Sequence, residues 1–74
     1  MENTANLITN NMEILGGKPV IKGTRIHAAL IVEEFAGGMT MEEIIKEYAL
    51  AREQIQAALR YAAMAIKEDV VLVS

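Results

Sequence analysis

The run Gly37-Gly38-Met39-Thr40-Met41-Glu42-Glu43 forbids one continuous helix through the middle of this chain. Each glycine costs a helix interior roughly 1 kcal/mol against alanine, and glycine readily takes the left-handed conformation that ends a helix. Thr40 then stands three positions before Glu43, the spacing of a capping box. In that arrangement the hydroxyl accepts from the third helical N–H while the carboxylate reaches back to the N–H of the cap residue. One helix therefore stops and another starts within a few residues. Ala28 to Ala36 favours the first helix, and Met41 to Tyr48 forms the second, with Ile44, Ile45 and Tyr48 on its apolar side. After the joint Ala49-Leu50-Ala51, a third helix is predicted from about Arg52 to Lys67. Ala51 is a weak N-cap for it, costing about 1 kcal/mol against Ser or Thr. At about 100° per residue, Ile55, Leu59, Ala62 and Ile66 form one stripe of this helix, which is expected to face the core.

Upstream, Leu7-Ile8-Thr9 is a short strand candidate ended by Asn10-Asn11. Pro19-Val20-Ile21 and Thr24-Arg25-Ile26 flank Lys22-Gly23 and read as a small hairpin. Gly23 supplies the positive φ of a tight turn, and Pro19 restricts its strand to a first residue or a sheet edge. The chain reads as one domain over 1–74, with short strands in 7–26, three helices in 28–67, and a tail from 68 to 74. Residues 1–6 are polar and expected to be loose. A two-turn helix, a turn of a few residues and a longer helix over 41–67 match the helix-turn-helix pattern.

At 74 residues the chain is near the lower limit for a self-sufficient core, and it has no cysteine to staple one. Apolar residues make up 53% of it with one Phe and no Trp, more surface than so small a globule hides alone. Self-association or a protein partner is therefore expected. No leader-like segment opens the chain and no apolar run reaches membrane-spanning length, so a soluble cytoplasmic protein is expected. The net charge is −3, yet residues 16–32 carry Lys18, Lys22 and Arg25 and no acid. Gly17-Lys18 invites a phosphate-loop reading. It fails, because Pro19 follows the lysine and Met12 stands where the first glycine would be needed. His27 has no second histidine or cysteine for a metal, and Glu42, Glu43 and Glu47 read as a solvated helix face. The sole serine is Ser74, so a serine nucleophile with a histidine base is not expected. No catalytic residue, metal or cofactor is expected.

The segments "GGKPVIKGTRI" and "GGMTMEEIIKEYALAREQIQAALRYA" resemble the prokaryotic domain-of-unknown-function 433 family, over residues 7 to 65. The pattern shared is Gly-Lys-Pro-Val-Ile-x-Gly-Thr-Arg-Ile, a helix, Gly-x-(Ser/Thr)-x-Glu-Glu-Ile, and a final helix ending Ala-Leu-x-Tyr-Ala. Gly17, Pro19, Gly23, Thr24 and Arg25 are its structural residues here. The chain departs from it at His27, Ala49 and Ala51, where the family usually has Pro, Pro and Thr. The resemblance implies a mainly α fold, a homeodomain-like three-helix bundle with a small N-terminal β element. It also implies an antitoxin-like role beside a PIN-like ribonuclease toxin.

On the face of helix three opposite the predicted stripe, Gln56 and Arg60 lie one turn apart and are the candidate base or phosphate readers. Arg52 at the helix start suits a phosphate, while Glu53 on the same face repels the DNA backbone unless it reads cytosine. Lys18 and Lys22 are candidate phosphate contacts of a small wing. Arg25, held by its strand, is expected to pair with a helix-two carboxylate such as Glu47, within the chain or across a dimer, or with a DNA phosphate. Ala57, Tyr61 and Met64 are apolar beyond the stripe, and Val70, Val71, Leu72 and Val73 make a β-prone tail. These residues are the candidate partner or dimer interface. Two functions stay open: a dimeric, DNA-binding antitoxin-like regulator that neutralises a toxin and represses its own operon, or an interaction module without DNA contact.

Overall fold

The computed structural model describes residues 7–9 and 17–69, with side chains described as far as Lys67. Residues 1–6, the Asn10-Asn11 break and the tail residues Val70, Val71, Leu72 and Val73 lie outside the described residues. The elements are β1 (Ile8–Thr9), β2 (Val20–Ile21), α1 (Ala28–Ala36), α2 (Met41–Tyr48) and α3 (Arg52–Asp69). The mainly helical architecture with a small β element agrees with the sequence reading.

The hairpin is built differently from the expected one. β2 pairs antiparallel with β1, in the register Ile8↔Ile21 and Thr9↔Val20. On its other side β2 meets only a bridge, Val20↔His27, and Thr24-Arg25-Ile26 is no strand. The Thr24 N–H reaches the Ile21 carbonyl at 2.9 Å, closing a four-residue turn. Gly23 has φ 82, and no non-glycine residue of this turn has positive φ, the signature of a type II turn. Thr24 locks the loop: its Oγ1 donates to the Ile21 carbonyl at 2.8 Å and accepts from the Ile26 N–H at 2.9 Å. Those side-chain bonds hold the loop, while the backbone adds one ladder bond of its own, Ile21 N–H to the Ile26 carbonyl at 2.9 Å. Pro19 lies just before β2, where its carbonyl accepts from the Ala28 N–H at 3.0 Å and ties the β element to the start of α1. Gly17 is also left-handed, at φ 83.

The corner between α1 and α2 forms as the glycine pair dictates. Met39 N–H bonds the Glu34 carbonyl and Gly38 N–H the Phe35 carbonyl, each at 3.0 Å, with Gly38 at φ 105. This is the Schellman closure. Thr40 Oγ1 then accepts from Glu43 N–H at 3.1 Å while Glu43 Oε1 accepts from Thr40 N–H at 2.8 Å, so the capping box is complete.

Between α2 and α3 the chain turns through Ala49, which is left-handed at φ 55 and ψ 44. Leu50 N–H closes the turn on the Ile45 carbonyl at 3.2 Å, and the Leu50 side chain is buried. Ala51 offers only half a box. Gln54 Oε1 accepts from its N–H at 2.7 Å, but alanine has no hydroxyl to complete the exchange.

One isoleucine from each of four elements closes the core: Ile21 of β2, Ile31 of α1, Ile44 of α2 and Ile55 of α3, all at 0% exposure. Ala28, Leu50 and Ala58 complete the buried cluster, with Phe35, Met41 and Leu59 packed around it. α1 packs mainly against α3, which also touches α2 and both strands.

The buried side of α3 departs from the predicted stripe. Ile55 is buried, but the side also includes Ala57 and Ala58, at 2% and 0% exposure. Ile66 is 59% exposed although its angle matches Ile55. Two causes account for this. α3 is flanked by both α1 and the β element, so a wider arc than one stripe is covered. It is also about 27 Å long against about 14 Å for α1, so its C-terminal turns outrun the core.

Candidate functional site

Arg52, Gln56 and Arg60 are all exposed, on successive turns of α3 and within about 80° of one another around its axis. Glu53 is exposed beside them and Lys67 continues the same side. Arg52 is engaged within the chain: its Nη2 donates to Glu42 Oε2 at 3.2 Å, with the two side chains 50% and 75% exposed. The Glu42 carboxyl is held below the usual glutamate range, first by a hydrogen bond from its own backbone N–H and then by the Arg52 guanidinium. Its place in the first turn of α2 explains the first cause, since the N–H groups there are unpaired by the helix.

The five candidate DNA contacts do not form one surface. Lys18 is exposed but lines a groove between α1 and α3, beside Tyr61 and Ala65. Those α3 residues lie about 100–180° around the helix from Gln56 and Arg60. The lysine wing beside the reading face is therefore corrected for Lys18. Lys22 stands at the exposed tip of the turn, with its N–H on the Leu7 carbonyl at 2.7 Å. For Arg25, the pairing with Glu47 within the chain is corrected. No Arg25–Glu47 ion pair forms among the described residues. Arg25 instead lines a shallow hollow with His27, Leu30 and Glu33, while Glu47 lines another with Met39, Glu43 and Lys46. The β element fixes Arg25 on the side of α1, which the hairpin reading could not locate.

The α1–α3 groove encloses about 710 Å³ and is walled by Ala28, Ala29 and Val32 on one side and Tyr61, Ala62, Ala65 and Ile66 on the other. Tyr61 is half-buried there, and Met64 on the same helix is 53% exposed. Ala57, named with them as an interface residue, is buried by its own chain and cannot reach a partner. Nothing in the α3 sequence separates Ala57 from Ala63, because alanine fits a crowded or an open site equally well.

The second tyrosine forms an internal strut. Tyr48 donates its hydroxyl to Glu34 Oε2, joining the end of α2 to α1. That bond, with desolvation and the nearby Glu34 and Glu47 charges, pushes the Tyr48 phenol above its ordinary value. A separation of 14 residues and an intervening corner hide this pair from any helix-face reading.

His27 is the N-cap of α1, without a side-chain cap bond. Among the described residues no three His, Asp or Glu side chains cluster to hold a metal ion. No helix of the described residues is long and apolar enough to cross a membrane.

Residues 8–62 match the family described as protein of unknown function, DUF433, and the chain belongs to that family. None of the curated proteins and none of the solved structures compared with the chain matches it.

Proposed function

We propose that this chain is a DNA-binding, antitoxin-like protein, with α2, the Ala49 turn and α3 acting as a helix-turn-helix. The observation that carries the reading is the placement of Arg52, Gln56 and Arg60 on one exposed side of α3, directly after a capped two-turn helix. Gln and Arg side chains pair bidentately with adenine and guanine edges, and an arginine at a helix start meets a phosphate. The regulator works as a homodimer, binds its own operator, and neutralises a PIN-like ribonuclease encoded beside it. The exposed apolar side chains of α3 supply the surface for protein partners.

The test is fluorescence anisotropy with duplex DNA from upstream of the gene, titrated with salt. Arg60→Ala is expected to cost about 1–3 kcal/mol of specific binding and to relax one base position. Arg52→Ala is expected to weaken all sequences alike. No salt-dependent binding at all would sink the DNA reading.

A second reading is an interaction module without DNA contact. The Glu42 carboxylate on Arg52 and Glu53 on the same face support it. Inhibition of the co-encoded ribonuclease by a chain that binds no DNA would select it.

A further inference from the structure

Two opposite charges border the α1–α3 groove, Lys18 and Glu33, and neither forms an ion pair among the described residues. Lys18 lies at the end where Pro19 is bonded to Ala28, the first residue of α1. Glu33 stands five residues beyond Ala28, about 7–8 Å up the helix axis. Between them the walls are small and apolar, with Ala29, Ala62 and Ala65 leaving room for a helix to approach closely. Ile66 rises from one wall at 59% exposure.

We propose that this groove is the isologous interface of a homodimer, in which a second copy presents the same groove reversed by a two-fold axis. Such an axis brings each patch onto itself, so residue i meets residue j and j meets i. Reversal sets Lys18 of one protomer against Glu33 of the other, twice. A groove with one positive and one negative end is self-complementary only in this orientation. Ile66 of each copy enters the small-residue trough of its partner, and Met64 extends the buried area toward what a stable dimer needs, roughly 800 Å² per partner. α3 can do this because it overhangs α1 and leaves Met64 and Ile66 exposed. The proposal deepens the dimer in the function above and is independent of DNA.

The experiment is light scattering after size exclusion on the full chain at micromolar concentration, with thermal melts of every variant to show that each is folded. Ile66→Glu is expected to give a folded monomer. Lys18→Glu and Glu33→Lys are each expected to weaken the dimer at least about tenfold through like-charge contacts. Mixing the two charge variants is expected to restore a dimer, because both contacts across the mixed interface then join opposite charges. A wild-type monomer at high concentration would overturn both the dimer and its interface. A wild-type dimer that survives Ile66→Glu, or single charge variants that dimerise as well alone as mixed, would leave the dimer standing and remove this groove from it.

Discussion

Glu42 of α2 accepts from Arg52 of α3 at 3.2 Å, so the arginine best placed for a phosphate is already held by a carboxylate of the preceding helix. On the DNA-binding proposal, DNA would exchange one anion for the other. Both side chains are open to solvent, so the exchange meets no steric barrier. Glu42→Gln is expected to raise affinity severalfold for specific and random DNA alike, since a phosphate contact carries no sequence information. In an Arg52→Ala background the same change is expected to do nothing. An equal gain in both backgrounds would show that only bulk charge changed.

Glu42 also gives a signed pH dependence. Its carboxyl titrates below the ordinary 4.5 in the folded chain. The ionised form is therefore favoured by folding, and its contribution is present above 4.5 and lost as pH falls through the folded value. Acid melts of wild type and Glu42→Gln are expected to converge as pH is lowered. Parallel curves would deny the coupling.

Tyr48 runs the other way. Its phenol titrates above the ordinary 10.0, because the protonated hydroxyl donates to Glu34. That contribution is present below 10.0 and is lost as pH rises through the folded value. Tyr48→Phe is expected to be less stable than wild type near neutrality and to close the gap in alkaline melts. A constant gap would place the Tyr48 effect in ring packing alone.

The joint between α2 and α3 can be improved in two places. Ala49 holds φ 55, which costs any side chain with a Cβ, so Ala49→Gly is expected to stabilise by about 1 kcal/mol. Ala49→Pro is expected to break the turn, because proline holds φ near about −65°. Ala51→Ser should complete the half box and add about 0.5–1 kcal/mol, the low end of the capping range. The reason for the low end is that Gln54 N–H already reaches the Ala51 carbonyl at 3.0 Å. Denaturant melts read all three.

Ile31→Ala and Ile55→Ala are expected to cost about 2–5 kcal/mol each, as cavities at fully buried sites. Ile66→Ala should leave the stability of the monomer nearly unchanged, since the side chain is 59% exposed. A loss at Ile66 as large as at Ile55 would put that residue back in the core.

The helices of this protein are written in local chemistry. Gly38 supplies a left-handed stop, Thr40 and Glu43 exchange hydrogen bonds three residues apart, and Gly23 turns a four-residue loop, all by interactions within a few residues. Short-range order of that kind is legible from residue types and spacing, and α2 begins where Thr40 and Glu43 indicate. The placement of Arg52, Gln56 and Arg60 on one exposed side follows from helical period alone. What period could not supply is the width of the buried arc. Ala57 is covered and Ile66 is open because, among the described residues, two neighbours flank one part of α3 and its last turns extend past them, a matter of relative helix length and packing. The same holds for strand pairing, for Arg25 beside Glu33 in place of Glu47, and for Lys18 in a groove away from the reading face. Each depends on which distant segments are brought together, and contacts across the fold leave no periodic trace in the chain.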